Sequence, residues 1–205
     1  MPKAFSERER ELITARLLEA GHKLFAAYGL KKTNVEEIAA AAGVSKGAFY
    51  LFYDSKEAFF MDVVEQVERR YRQEIMAEIA RPGPSPRARL LAAFKHAMTQ
   101  WKTIPILQVF SSGEFEALAR RIPPGKLQEH LASDRIFIEE LVARCRAEGI
   151  PIQAPAEQIG KLMYALLFAS LHEGELGPSD LAGAMDVLLE LVAAYCLGEI
   201  SIGKE

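Results

Sequence analysis

Hydrophobic positions recur along this chain at the step of a helix. Ile13, Leu17, Ala20, Leu24 and Tyr28 follow one another at three- and four-residue intervals and predict one buried stripe. Phe60, Val63, Val64, Val67, Tyr71 and Ile75 predict a second, on a long helix that starts at Asp54 or Ser55 and runs to about Ala80. No alternating β-branched run is bounded by Asn-Gly or Asp-Gly, so the pattern predicts an all-α chain of about nine helices.

Polar residues mark where the helices begin. Ser6-Glu7-Arg8-Glu9 reads as a capping box, in which side chain and backbone satisfy each other's donors. Gly29 ends that first helix. Thr33-Asn34-Val35-Glu36 reads as a second capping box, opening a short helix to about Ala42. Gly43 breaks it, and Ser45 caps another from Lys46 to Phe52.

Arg81-Pro82-Gly83-Pro84-Ser85-Pro86 is the sharpest break, because three prolines remove backbone donors and forbid helix. It reads as a rigid turn rather than a domain linker, since the helix before it has an apolar face that needs a partner. Further helices are expected at 86–103, 105–119, 126–148, 155–172 and 179–198. The last two, GKLMYALLFASL and LAGAMDVLLELVAAYCL, are apolar around much of their circumference. Such helices must bury more than one face, and a second copy of the chain is expected to cover the second.

Composition changes this picture little. Half of the 205 residues are hydrophobic, 26% are charged and the net charge is −3, which excludes a protein that coats nucleic acid over its whole surface. The charge is uneven, however. Residues 1–56 hold nine Lys and Arg against seven acids, and the remainder sixteen against twenty-one. A mildly basic end on an acidic body suits a protein that meets an anion with one end only. Cys145 and Cys196 lack CxxC spacing and read as small core residues. The N-terminus shows no signal-peptide pattern, and the longest apolar run, Leu162 to Leu171, is too short to span a membrane. A cytoplasmic protein is expected.

The stretch VEEIAAAAGVSKGAFYLFYDSKEAFF carries the chemistry. Helix, tight turn with Gly, helix is the helix-turn-helix arrangement, whose second helix enters the major groove of DNA. Ile38, Ala39 and Ala42 face inward, Val44 plugs the turn and Phe49 anchors the second helix. Lys46, Gly47, Ala48, Tyr50 and Leu51 are left mostly outward. Lys46 can reach phosphate or a guanine edge, Ala48 a thymine methyl, and Tyr50 a phosphate. Amides at the start of the first short helix, and Lys56 at the start of the long one, are expected to meet the DNA backbone.

At Thr33-Asn34-Val35-Glu36-Glu37-Ile38-Ala39, Ala42-Gly43-Val44-Ser45-Lys46-Gly47, Phe49-Tyr50 and Ser55-Lys56-Glu57 the chain resembles the TetR family of bacterial transcription regulators. The strong resemblance covers about Arg10 to Phe60. It implies a DNA-binding domain over 1–54 and a helical effector-binding and dimerisation domain over 55–205. The implied DNA-binding set is Thr33, Asn34, Val35, Ser45, Lys46, Gly47, Ala48, Tyr50 and Lys56. Lys46, Gly47, Ala48 and Tyr50 fall at positions that meet bases or nearby backbone, and Thr33, Val35, Tyr50 and Lys56 at phosphate positions. Phe52 stands where the family often has His and cannot donate to phosphate. Tyr53, where Phe is usual, is left to compensate.

The resemblance also implies a homodimer, its last two helices forming a four-helix bundle with the partner's, and hence an inverted-repeat operator in double-stranded DNA. Phe94, Met98, Trp101, Phe110, Phe115, Phe137, Met163, Tyr164, Phe168 and His172 lie where such proteins line a cavity for a small effector. An apolar lining implies a hydrophobic or aromatic effector, with a polar handle at Tyr164 or His172. Repression relieved by the effector is the implied mode, with the long helix from Ser55 to Ala80 as the moving lever.

Two other classes compete. An enzyme is disfavoured because His22, His96, His130 and His172 are scattered, and no P-loop, GxGxxG, GxSxG or HExxH appears. No catalytic, metal or cofactor site is expected. A ligand-binding or adaptor protein of the same fold without DNA affinity is the alternative that the small N-terminal charge leaves open.

Overall fold

A computed structural model describes residues 5–110, 118–171 and 182–200 of the chain. Among them there are eight α-helices, one 3-10 helix and no strand. The helices are α1 (Glu7–Lys32), α2 (Val35–Ala41), α3 (Lys46–Phe49), α4 (Lys56–Ala80), α5 (Pro86–Thr103), α6 (Pro124–Ala147), α7 (Ala156–Leu171) and α8 (Ala182–Cys196), with the 3-10 helix at Pro105–Phe110. The chain divides into two compact units, Met1–Glu68 with Ile104–Leu127, and Arg69–Thr103 with Gln128–Glu205.

In the first unit, α1 opens on the expected capping box at Ser6 and Glu9. Its inward face differs from the expected stripe. Ile13, Leu17 and Ala20 are buried, but Tyr28 is 61% exposed and Phe25 takes the inward place. Leu17, Gly21 and Phe25 share one face at four-residue steps, and Gly21 hides that register because it has no side chain. A Cβ on Gly21 would stand 2.5 Å from the Phe59 ring, so this glycine lets α4's aromatic side chain press on α1. Phe25, Phe49, Tyr53, Phe59 and Phe60 form one buried cluster. Phe25 meets Phe60 edge-on at 5.1 Å, Phe49 meets Phe59 at 5.2 Å and Tyr53 meets Phe59 at 4.7 Å. Offset and edge-on rings place positive edges on negative faces.

Gly29 (φ 76°) does break α1, but the chain closes one more turn as far as Lys32. The second capping box is one residue later than expected, with Asn34 and Glu37 in place of Thr33 and Glu36. Within the expected helix over 105–119, Pro105–Phe110 is a 3-10 helix with Ile106 and Leu107 buried, residues 118–119 are α-helical, and residues 111–117 lie outside those described.

In the second unit, residues 81–85 of the expected break are non-helical, Ser85 accepts from the Ala88 amide (3.1 Å), and Pro86 opens α5. Pro fits there because the first helical amide has no intrahelical acceptor. Helix α5 packs on α7 and α8, and α7 on α8. Arg87 bonds Glu190 (2.9 Å) and Glu199, and Lys95 bonds Asp186 (2.9 Å), tying α5 to α8 and the residues after it. Cys145 and Cys196 are free thiols in the core, as expected. Helix α8 has two apolar faces. Met185, Leu189, Val192 and Ala193 are buried, while Val187, Leu188 and Leu191 remain exposed. No helix among the described residues is long and apolar enough to cross a membrane.

Candidate nucleic-acid interface

Helix α2 starts where Asn34 Oδ1 accepts from the Glu37 amide (2.9 Å) and the Glu37 carboxylate accepts from the Asn34 amide (3.3 Å). It stops in a Schellman turn, in which the Val44 amide donates to Ala39 O (2.9 Å) and the Gly43 amide to Ala40 O (3.1 Å). Gly43 has φ 71°, a left-handed conformation that a Cβ would strain. Two residues later Ser45 Oγ accepts from the Ala48 amide (3.1 Å) and starts α3. Helix α3 is shorter than expected. It runs from Lys46 to Phe49, and residues 50–52 continue as turns in which Leu51 and Phe52 donate three residues back.

Phe49 is fully buried between Tyr53 and Phe59 and sets the rotation of α3. Ser45, Lys46, Gly47, Tyr50 and Leu51 are exposed and Ala48 is half-buried, as the anchoring by Phe49 implies. Asn34 is exposed beside them at the start of α2. Lys46 pairs with the Glu36 carboxylate on α2. That hydrogen bond holds the Glu36 carboxyl below its ordinary range and raises the Lys46 ammonium above its own.

Three residues of the expected set turn inward. Thr33 is buried, its hydroxyl donating to Gly29 O (2.8 Å), and Val35 is buried. Lys56 donates to Leu30 O and Thr33 O, both at 2.8 Å, and so fastens the start of α4 to the turn after α1. Tyr53 does not compensate for Phe52. It is buried in the aromatic cluster, and burial pushes its phenol above the usual range.

Sequence reading missed what holds the far end of α3. Phe5 packs on Phe52 with ring centroids 5.8 Å apart, and the Arg10 guanidinium lies 4.8 Å from the Phe52 centroid. Arg10 Nη2 also donates to Leu51 O at 3.3 Å. These residues are more than forty positions apart in sequence, so no local pattern announces them. A pocket of about 440 Å³ lies between α1 and the α2–α3 turn, lined by Leu12, Ile13, Arg16, Val44, Ser45 and Ala48 among others.

Of the expected effector residues, Phe110 and Phe115 fall in the first unit and the others in the second. Phe94 and Met98 are buried in α5, and Trp101 is half-buried. Phe137 lies under Arg72, 5.1 Å from guanidinium to ring centroid. Tyr164 is exposed and stacks on the half-buried Phe168 at 5.5 Å. Met163 is buried. The side chain of Phe110, with Phe115 and His172, lies outside the described residues.

Residues 17–63 match the family model for bacterial regulatory proteins of the tetR family. This N-terminal part is a TetR-family domain. Curated relatives include the uncharacterized HTH-type transcriptional regulator Rv1255c of Mycobacterium tuberculosis, 34% identical over 102 residues, which is 50% of each chain. They also include the uncharacterized HTH-type transcriptional regulator YuxN of Bacillus subtilis, 30% identical over 125 residues, or 57% of this chain and 43% of that one. The match therefore spans about half the length of these relatives. Among solved structures, Thermus thermophilus FadR, a TetR-family transcriptional repressor in complex with lauroyl-CoA, superposes with a TM-score of 0.63 at 22% identity over 94% of this chain and 97% of that one. Bacillus subtilis FadR in complex with stearoyl-CoA gives 0.59 at 15% identity over 88% and 97%. At those identities the likeness is one of fold. The chain has a TetR-like fold with an N-terminal helix-turn-helix.

Proposed function

We propose that this TetR-family chain is a sequence-specific transcriptional repressor that leaves an inverted-repeat operator when a small hydrophobic effector binds. The observation that carries the reading is the outward face of α3. Lys46, Gly47 and Tyr50 are exposed on a helix whose rotation is set by the buried Phe49. Ser45, Ala48 and Asn34 complete that surface, while Thr33, Val35 and Lys56 act from behind it by holding the turn. Residues 1–54 read DNA, and 55–205 bind effector and a second copy of the chain.

The exposed apolar residues Val187, Leu188 and Leu191 of α8, with Tyr164 of α7, support the homodimer. A two-fold dimer sets its recognition helices about 34–36 Å apart, on successive major-groove faces. The structural relatives' complexes with lauroyl-CoA and stearoyl-CoA make a fatty acyl thioester the first effector to try. Such a ligand acts by preferring one dimer conformation, and can weaken DNA binding only by that preference. Helix α4, continuous from Lys56 to Ala80, is the lever.

The test is the salt dependence of duplex DNA binding. A DNA reader loses affinity with a log–log slope of about −0.9 per phosphate neutralised, and an adaptor of the same fold gives no slope. Binding that is flat in salt, or absent, would overturn the reading.

A further inference from the structure

The ion pair between Glu36 and Lys46 sits on the surface that the helix-turn-helix offers to DNA. Both side chains are more than half exposed, at 57% and 53%. An exposed pair adds little to folding stability, because water screens it and two flexible side chains must be ordered. Its weight falls on whatever approaches Lys46. The pair is placed by rigid neighbours. Asn34 caps α2 two residues before Glu36, the Gly43 turn fixes the angle, and Ser45 caps α3 directly before Lys46.

We infer that Glu36 is a specificity-determining residue, its carboxylate holding Lys46 so that the ammonium reads a guanine edge rather than a phosphate. The inference rests on the DNA-reading function proposed above. A lysine ammonium has three N–H donors. Glu36 takes one, leaving two for the O6 and N7 acceptors that guanine shows in the major groove. A guanine edge is neutral, so the pair survives the encounter. A phosphate is an anion, and one close enough to meet Lys46 is also close to the Glu36 carboxylate. The paired lysine therefore releases no counterion of its own, and sequence-independent binding loses one charge contact. Discrimination comes from this penalty on the wrong contact as much as from the gain on the right one.

The experiment measures binding of the full chain to a duplex of scrambled sequence, by fluorescence anisotropy across a salt series. Wild type, Glu36→Gln, Lys46→Ala and the double variant are compared. Glu36→Gln should steepen the log–log salt slope by about 0.9 and raise scrambled-duplex affinity roughly tenfold near 0.1 M salt. The same change in the Lys46→Ala background should give less than half of that gain. A slope unchanged by Glu36→Gln overturns the inference, as does a gain that persists in full without Lys46. If wild type binds with a salt slope, such a result leaves DNA reading intact. If none of the four proteins binds duplex DNA, the DNA-reading function itself is lost, and this inference with it.

Discussion

The Arg10 guanidinium lies over the ring of Phe52, 4.8 Å from its centroid, and donates to the carbonyl of the preceding Leu51. The start of α1 thus grips the turn that follows α3. A cation–π contact at an exposed site contributes about 0.5–1 kcal/mol. Arg10→Ala should therefore lower operator affinity roughly two- to fivefold, with a small change in melting temperature. Anisotropy titration beside thermal unfolding checks this. Unchanged affinity would show that the grip has no part in DNA reading.

Lys56 behaves as an internal fastener. Lys56→Met takes this donor from Leu30 O and Thr33 O, which are partly buried, and an acceptor left unsatisfied there costs up to about 1–3 kcal/mol. Denaturant unfolding should show a loss of that order, and the salt slope of DNA binding should stay at the wild-type value. A shallower slope with full stability would restore Lys56 to the phosphate contacts.

Gly21 sets helix propensity against packing. Alanine is favoured over glycine inside a helix by about 1 kcal/mol. Here its Cβ would lie 2.5 Å from the ring of Phe59, in the buried aromatic cluster. Overpacking costs about 1–3 kcal/mol, so Gly21→Ala should be net destabilising in equilibrium unfolding. A stabilised variant would mean that the ring yields easily.

The exposed face of α8 yields a prediction about assembly. Leu191→Glu places a charge beside Val187 and Leu188 without touching the buried face. Sedimentation should find wild type dimeric and the variant monomeric, with far weaker binding to an inverted repeat. A dimeric variant would put the interface elsewhere.

The thiols make stability depend on alkaline pH. Burial raises Cys145 to about 11 and Cys196 to about 12, from an ordinary value of 9.0. The unfolded chain then ionises first. The stabilisation is fully present below pH 9 and is lost as pH rises toward about 11–12. Unfolding at pH 8 and pH 10 should show the decline, and substituting both cysteines by Ala should reduce it. At pH 8 the folded thiols should resist alkylation until the protein opens.

The helix-turn-helix is legible because its signals are local. Gly43 marks the turn, Ser45 the next cap and Phe49 the anchor, all within seven residues. The cap before α2 was ambiguous, because Thr33 and Asn34 each have a glutamate three residues later. Packing decided for Asn34 by burying Thr33. Gly21 concealed the true face of α1 by having no side chain to count. The grip of Phe5 and Arg10 on Phe52, and the Glu36–Lys46 pair, join residues that no periodicity relates. They follow from how α1, α2 and α3 pack.

The central claim is that α3 of a two-fold dimer reads DNA sequence. Selection of bound duplexes from a random pool at moderate salt tests it most directly, with wild type beside a Lys46→Ala/Tyr50→Ala variant. One inverted repeat should be enriched by wild type and lost in the variant. Folded, dimeric wild-type protein that enriches no sequence, with and without cell extract, would contradict the account.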